Sequence, residues 1–308
     1  MNWRVVARVA LTGLMLCASV AAWPGAAFAF CRTSTCNDCP RDAETGCTIG
    51  GVPVAWPEAC LSFSVNHAAS NAIGYEAATA LVAEAFATWE DARCDDAGRT
   101  PSIHVSDAFG PAICAEPEYS RSYGNANLIV FRDDTWPYTG SAHELAATTV
   151  THDQYGVIYD ADMEINATSP LSVAVAGLRQ KGLIVGQHDL LSIVTHEAGH
   201  FLGLDHSLVD GAIMRASLPS GEVRTELGDD DVAAICTLYP PGREIAACDP
   251  TPHGGFAPSC VLGSELLGSC SAVGTFRSAD ARNVWCFALL LAASSLRVRA
   301  GKRCRRAR

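Results

Sequence analysis

Three histidines and a glutamate packed into residues 196–206 constrain this 308-residue chain more than any other feature. They lie in Thr195-His196-Glu197-Ala198-Gly199-His200-Phe201-Leu202-Gly203-Leu204-Asp205-His206-Ser207. His196 and His200 are four residues apart, so a helix puts both on one face, one turn from each other. Two imidazoles placed this way can hold one Zn²⁺ from the same side. Glu197, next to the first of them, is within reach of a water on the metal. His206 lies six residues past His200, and six helical residues turn through about 600°, which is the wrong face. The helix must therefore end between them, and Gly203 is the residue that takes a left-handed turn at little cost. Three neutral imidazoles leave one tetrahedral position open, the mark of a catalytic rather than a structural zinc. The plain alternative is an amphipathic helix with histidines by chance, and five positions fitting one geometry argue against it.

Both ends of the chain read as targeting segments. At residues 1–29, Arg4 and Arg8 precede an apolar run from Val9 to Val20, and Ala27-Phe28-Ala29 forms an A-x-A cleavage site, so a secretory signal peptide is expected. A retained membrane anchor is the alternative. At residues 270–308, Cys270 lies in a Gly- and Ser-rich stretch and is followed by an apolar run, Val284 to Leu296, and an arginine-rich end. That run is short for a membrane span, which needs about 20 residues. The arrangement resembles the myxobacterial C-terminal sorting tag, and the resemblance implies processing near the cysteine and delivery to the cell surface. The tail is therefore expected to engage the membrane or a sorting protease, with an ordinary tail anchor as the alternative. Of the chain's 22 basic and 33 acidic residues the two ends hold eleven basic and one acidic, so residues 30–269 carry 11 basic against 32 acidic. A body so acidic is a poor nucleic-acid binder. It suits an extracellular domain, with Ca²⁺ as a candidate second cation.

Residues 30–269 contain ten cysteines, and an even number in an exported chain argues for disulfides. Cys31, Cys36, Cys39 and Cys47 crowd the segment 30–51, where a small zinc knuckle is the rival reading. The body, 52–242, alternates strand and helix signals. Strands are expected at Cys60–Val65, Ser102–Ser106 and Asn127–Phe131. A hairpin is expected from Leu145–Val150 and Val157–Ile165 around His152–Gly156. Tyr75 to Arg93 reads as a helix burying Leu81, Val82, Ala85, Phe86 and Trp89. Asp160, Asp162 and Glu164 alternate on one strand and face one way; they are candidate calcium ligands, and a solvated strand face is the reading preferred. Asp189 near the start of the zinc helix suits its dipole. A last helix, Asp229 to Tyr239, ends at Pro240-Pro241-Gly242. Residues 243–269 read as a linker with one expected disulfide, Cys248 with Cys260.

HExxHxxGxxH followed by a methionine is the metzincin signature, and the sequence resembles one branch of it, the matrixins. Ser207 follows the third histidine, Met214 lies in Ala212-Ile213-Met214, and Leu227, Asp229–Val232 and Leu238-Tyr239 match the family's last helix. The resemblance covers roughly 52–242. It implies an α+β fold with a twisted, mostly parallel five-stranded sheet, an antiparallel edge strand, three helices and a methionine turn with Met214 beneath the ligands. It departs at several positions. No Pro-Arg-Cys-Gly switch precedes the domain. Ala147 and Ile158 stand where the family places structural-zinc histidines, so a single zinc is expected. Ala216-Ser217-Leu218-Pro219 replaces Pro-x-Tyr, so family substrates do not carry over.

The function implied is a secreted, surface-associated zinc endopeptidase acting on proteins or peptides. His196, His200 and His206 hold the metal and Glu197 serves as general base. The substrate is expected to lie extended along the Leu145–Val150 edge. The rival from another class is a non-catalytic surface binding protein on the same scaffold, which would require a defective zinc site.

Overall fold

The computed structural model describes residues 30–117, 119–138, 144–169, 171–172, 187–244 and 248–262. The expected signal peptide and the expected sorting tail lie outside the described residues. In chain order the strands are β1 (Cys31–Arg32), β2 (Cys60–Ser62), β3 (Ser64–Val65), β4 (His104–Ser106), β5 (Leu128–Arg132), β6 (Ala146–His152), β7 (Ile158–Asn166), β8 (Leu171–Ser172), β9 (His188–Asp189) and β10 (Leu204–Asp205). The helices are α1 (Tyr75–Glu90), α2 (Leu190–Phe201) and α3 (Asp229–Leu238).

The alternating run Cys60–Val65 forms β2 and β3, interrupted at Phe63. β2 pairs in parallel with β4, and β3 opens a four-stranded sheet of order β3-β5-β7-β6. Its β3–β5 and β5–β7 pairs are parallel, while β6 runs antiparallel to β7 through the turn at Asp153–Gly156. The expected five-stranded sheet thus takes the form of a four-stranded sheet and a two-stranded pair that share one run of chain. The Phe63 N–H still bonds to the Ser106 carbonyl at 3.0 Å, which holds the two together across the break. Among the described residues β6 has one neighbour, and its outer backbone edge is free of sheet pairing with any of them.

One face of the sheet packs on α1 and α2. Ile129, Phe131, Met163 and Ile165 meet the apolar stripe of α1, where Leu81, Val82, Ala85, Phe86 and Trp89 are all buried. Phe86 stands edge-on to Phe201 with ring centroids 4.9 Å apart. The Trp89 indole donates to the Thr195 carbonyl of α2 at 2.8 Å, so the two helices share a polar anchor inside the apolar layer. A buried indole N–H left without a partner costs about 1–3 kcal/mol, and this bond avoids that cost.

The other face corrects the sequence reading twice. Residues 248–262, expected as linker, fold back over it: Ala257 and Cys260 pack with Ala112, Leu128 and Val130. The Asn125 amide donates to the His253 carbonyl at 2.6 Å. Cys248 and Cys260 do not pair with each other; the bridges are Cys60–Cys248 and Cys114–Cys260, which tie the returning segment to β2 and to the chain after β4. The remaining bridges are Cys31–Cys47, Cys36–Cys39 and Cys94–Cys236, so the four N-terminal cysteines form disulfides rather than a zinc knuckle.

The second correction is the acidic strand. Asp160, Asp162 and Glu164 do share one face of β7, but it is not solvated: they are 1 %, 5 % and 2 % exposed. β7 is an inner strand, and the returning chain packs on Leu128 and Val130 of the neighbouring β5. Asp162 Oδ1 accepts the Leu128 N–H at 2.7 Å, and Glu164 takes Arg132 at 2.6 Å and the Tyr138 hydroxyl. Burial, reinforced by the charge of Asp162 and a hydrogen bond to it, pushes Asp160 up to about 9. Because the raised value belongs to the folded state, the fold holds a proton that the unfolded chain has released. This group's contribution therefore favours folding near pH 4 and is lost as pH rises toward 9. Asp160→Asn should accordingly melt higher than the parent at pH 8, by about 5 °C, with the gap closing toward pH 4. A thermal-melt series across pH checks this, and a gap independent of pH would contradict it.

Candidate metal centre

α2 is built to present its histidines. Asp189 caps it, its carboxylate accepting the Ser192 N–H at 2.8 Å and the Ser192 hydroxyl at 2.7 Å. This is a specific cap in place of the general dipole role expected of Asp189. Leu190, Leu191, Val194, Ala198 and Phe201 bury the opposite side. The last carbonyls, which have no partner within the helix, are satisfied from elsewhere. The Trp56 indole donates to Phe201 O at 2.8 Å and the Tyr239 hydroxyl to Leu202 O at 2.7 Å. Gly203 then turns left-handed at φ +95°, and a Cβ there would lie 2.7 Å from Val54 O, so both conformation and space require glycine. Gly199 is required for another reason. Glycine inside a helix costs about 1 kcal/mol, but a Cβ at 199 would fall 2.3 Å from Met214 Sδ and 2.9 Å from the Trp89 ring. Its absence lets the thioether and the indole press against the helix beneath the histidines.

After Gly203 the chain forms β10, which pairs antiparallel with β1, and His206 returns toward α2. The three imidazole centroids are 4.8, 5.2 and 4.8 Å apart, and His200 Nε2 lies 3.2 Å from His206 Nε2. Their potential ligand atoms all lie within 4.8 Å of one another, the only such group of three among the described residues. Two rings are oriented by backbone: His196 Nδ1 donates to Ile213 O at 2.7 Å and His200 Nδ1 to Leu204 O at 2.9 Å. A proton fixed on Nδ1 leaves the Nε2 lone pair for a metal. Burial lowers the pKa of all three, His206 to about 4, so they are neutral at pH 7. Neutral, convergent nitrogen donors fit Zn²⁺ well.

Glu197 is buried beside them, with Oε2 accepting the Thr148 hydroxyl at 2.6 Å. Burial is the main cause of its rise to about 7; the Glu144 carboxylate adds to it and the Thr148 bond opposes it. The group opens on a cavity of about 710 Å³. Ala146, Thr148 and Val150 of the unpaired β6 edge line one side, and Ile213 and Arg215–Leu218 line another.

Residues 126–240 match the Matrixin family model. The matrixin-like segment thus includes β5, the β6 edge, α2, the histidines and α3. The chain is also 28 % identical over 170 residues to Metalloendoproteinase 1 of Glycine max, covering 54 % of this chain and 52 % of that protein. It is 26 % identical over 207 residues to Matrix metalloproteinase-C of Caenorhabditis elegans, covering 65 % and 31 %. With Metalloendoproteinase 5-MMP of Arabidopsis thaliana it shares 47 % identity over 51 residues, 17 % and 14 % of the two chains. The chain thus spans about half the length of the first of these relatives and less of the others.

Within the matrixin-like segment, Met214 is buried, and its carbonyl accepts the Ser207 N–H at 2.8 Å. Ser207 in turn donates its hydroxyl to Asp230 at 2.7 Å. Sequence reasoning missed two residues. Thr148 holds the Glu197 carboxylate, as described above. Asp231 accepts the backbone N–H groups of Ile213 at 2.8 Å, Met214 at 3.2 Å and Gly228 at 3.0 Å. It thereby ties α3 to the turn that carries Met214. The run Asp229-Asp230-Asp231 was visible as a helix start; its reach into the turn before it was not. Asp160, Asp162 and Glu164 are not brought to the histidines, and two of the three are already engaged by Leu128, Arg132 and Tyr138.

Proposed function

We propose that this chain is an exported zinc-dependent metalloendopeptidase. The observation that supports it most is the convergence of three neutral imidazoles and one buried carboxylate beneath an unpaired strand edge. His196, His200 and His206 would hold one Zn²⁺. Bound zinc supplies Lewis acidity toward a carbonyl oxygen and makes a water more acidic. The chain's own groups do the rest. β6 offers its free N–H and C=O groups to an extended peptide, which fixes the scissile bond over α2. Glu197 takes a proton from the attacking water and passes it to the leaving amine. Thr148 aims that carboxylate, and its hydrogen bond favours the ionised form needed for the first transfer. The Ile213 and Leu204 carbonyls keep two imidazoles in register, and Met214 packs the floor. Disulfides and an acidic body suit an extracellular setting, and the basic tail suits retention at the cell surface.

The test is hydrolysis of casein by the purified protein. Chelation should stop it and added zinc should restore it; hydrolysis indifferent to chelation would overturn the metal-dependent reading.

A further inference from the structure

The segment 30–53 lies outside the matrixin-like match, yet it stands at the edge of the cleft. Cys31–Cys47 and Cys36–Cys39 knot it internally. It is fastened to the domain where the chain leaves α2: β1 pairs with β10, Thr33 N–H donates to Gly203 O at 2.9 Å and Thr33 Oγ1 to Leu204 O at 3.0 Å. Arg41 pairs with Asp205 at 3.0 Å, and Val54 N–H returns to Thr33 O at 2.9 Å. Leu204 is the same residue that orients His200. From this base the four-residue loop Cys36-Asn37-Asp38-Cys39 projects, and Thr33 and exposed Asn37 line the catalytic cavity together with His152, at the far end of β6.

We propose that this knotted segment is a permanent wall of the substrate cleft, and that Asn37 binds substrate residues on the amino side of the scissile bond. The inference rests on the endopeptidase reading and deepens it. β6 runs from Ala146 to His152, and a peptide added antiparallel to it, the commoner mode of strand pairing, has its amino-terminal half toward His152. Asn37 is held in a disulfide-closed loop, so its amide reaches the peptide with little ordering cost. It carries both a donor and an acceptor, which suits the backbone or a polar side chain of an extended peptide. The rest of the lining is mixed, with Ile193, Ile213 and Leu218 beside Ser192, Ser217 and Arg224. The cleft would therefore take an extended peptide that meets Asn37 on the amino side of the scissile bond.

The test uses peptides synthesised around casein cleavage sites, each in a full-length form and a form truncated on the amino side. In Asn37→Ala and Asn37→Trp, the ratio of kcat/KM for full-length over truncated peptide should fall about tenfold. The loss should sit in KM, because a contact remote from the reacting atoms binds ground state and transition state alike. Binding of the same peptides, fluorescein-labelled, to Glu197→Gln with and without Asn37→Trp gives a readout independent of cleavage. A tenfold weaker affinity for full-length peptide alone supports the wall. Unchanged ratios and affinities in both Asn37 variants overturn it; absence of casein cleavage by the parent counts against the endopeptidase reading, and binding of fluorescein-labelled casein itself to Glu197→Gln with and without Asn37→Trp then decides this one, equal affinities overturning it.

Discussion

Glu197→Gln will keep its zinc and lose about a thousandfold in peptide cleavage. The glutamine side chain has the size of the carboxylate, and its oxygen can still accept the Thr148 hydroxyl, which now bonds to Glu197 Oε2 at 2.6 Å. The imidazoles and their backbone partners, Ile213 O and Leu204 O, are untouched. What disappears is the buried carboxylate hydrogen-bonded to Thr148 of the cleft edge, and with it the group proposed to accept the proton of the attacking water. Metal analysis and casein hydrolysis on the same sample separate the two effects. Retained cleavage with full zinc would mean that another group serves as base.

The second large effect is on stability. Cys94 lies just past α1 and Cys236 lies in α3, and their bridge joins positions 142 residues apart. Closing a loop of that length removes chain entropy from the unfolded state, about 5 kcal/mol in the simplest treatment. Net stability of a domain is about 5–15 kcal/mol, so one such bridge is a large share of it. Cys94→Ala combined with Cys236→Ala leaves no free thiol to mispair. It should cost about 3–5 kcal/mol in denaturant unfolding, without altering the histidine geometry, because the bridge joins the end of α1 to α3 and neither cysteine lines the cleft. A loss below about 1 kcal/mol would show that packing of α3 through Ile235 and Leu238 already fixes that corner.

What the sequence disclosed about the site was local geometry. The spacing of His196 and His200, the position of His206 and the need for glycine at 203 follow from the pitch of one helix and one turn, and φ at Gly203 is +95°. The stripe of α1 was legible for the same reason. Contacts made across the fold were not. Thr148 and Glu197 are 49 residues apart, and nothing in either neighbourhood marks the pair. Asp160, Asp162 and Glu164 read as solvated because alternation tells which side a residue faces and not what later covers it. Arg132 and Tyr138 close over Glu164, and residues 248–262, whose proline and glycine content suggested a linker, pack on the neighbouring β5. Cysteine pairing failed on the same ground: Cys248 and Cys260 are near in sequence, but Cys60 and Cys114 are nearer in space.

The most direct test of the central claim is a zinc titration of the chelated protein, with casein hydrolysis measured at each addition. One set of three imidazoles predicts that activity returns linearly and stops rising at one zinc per chain. Activity before any zinc is added, or a plateau that requires two, would contradict the account.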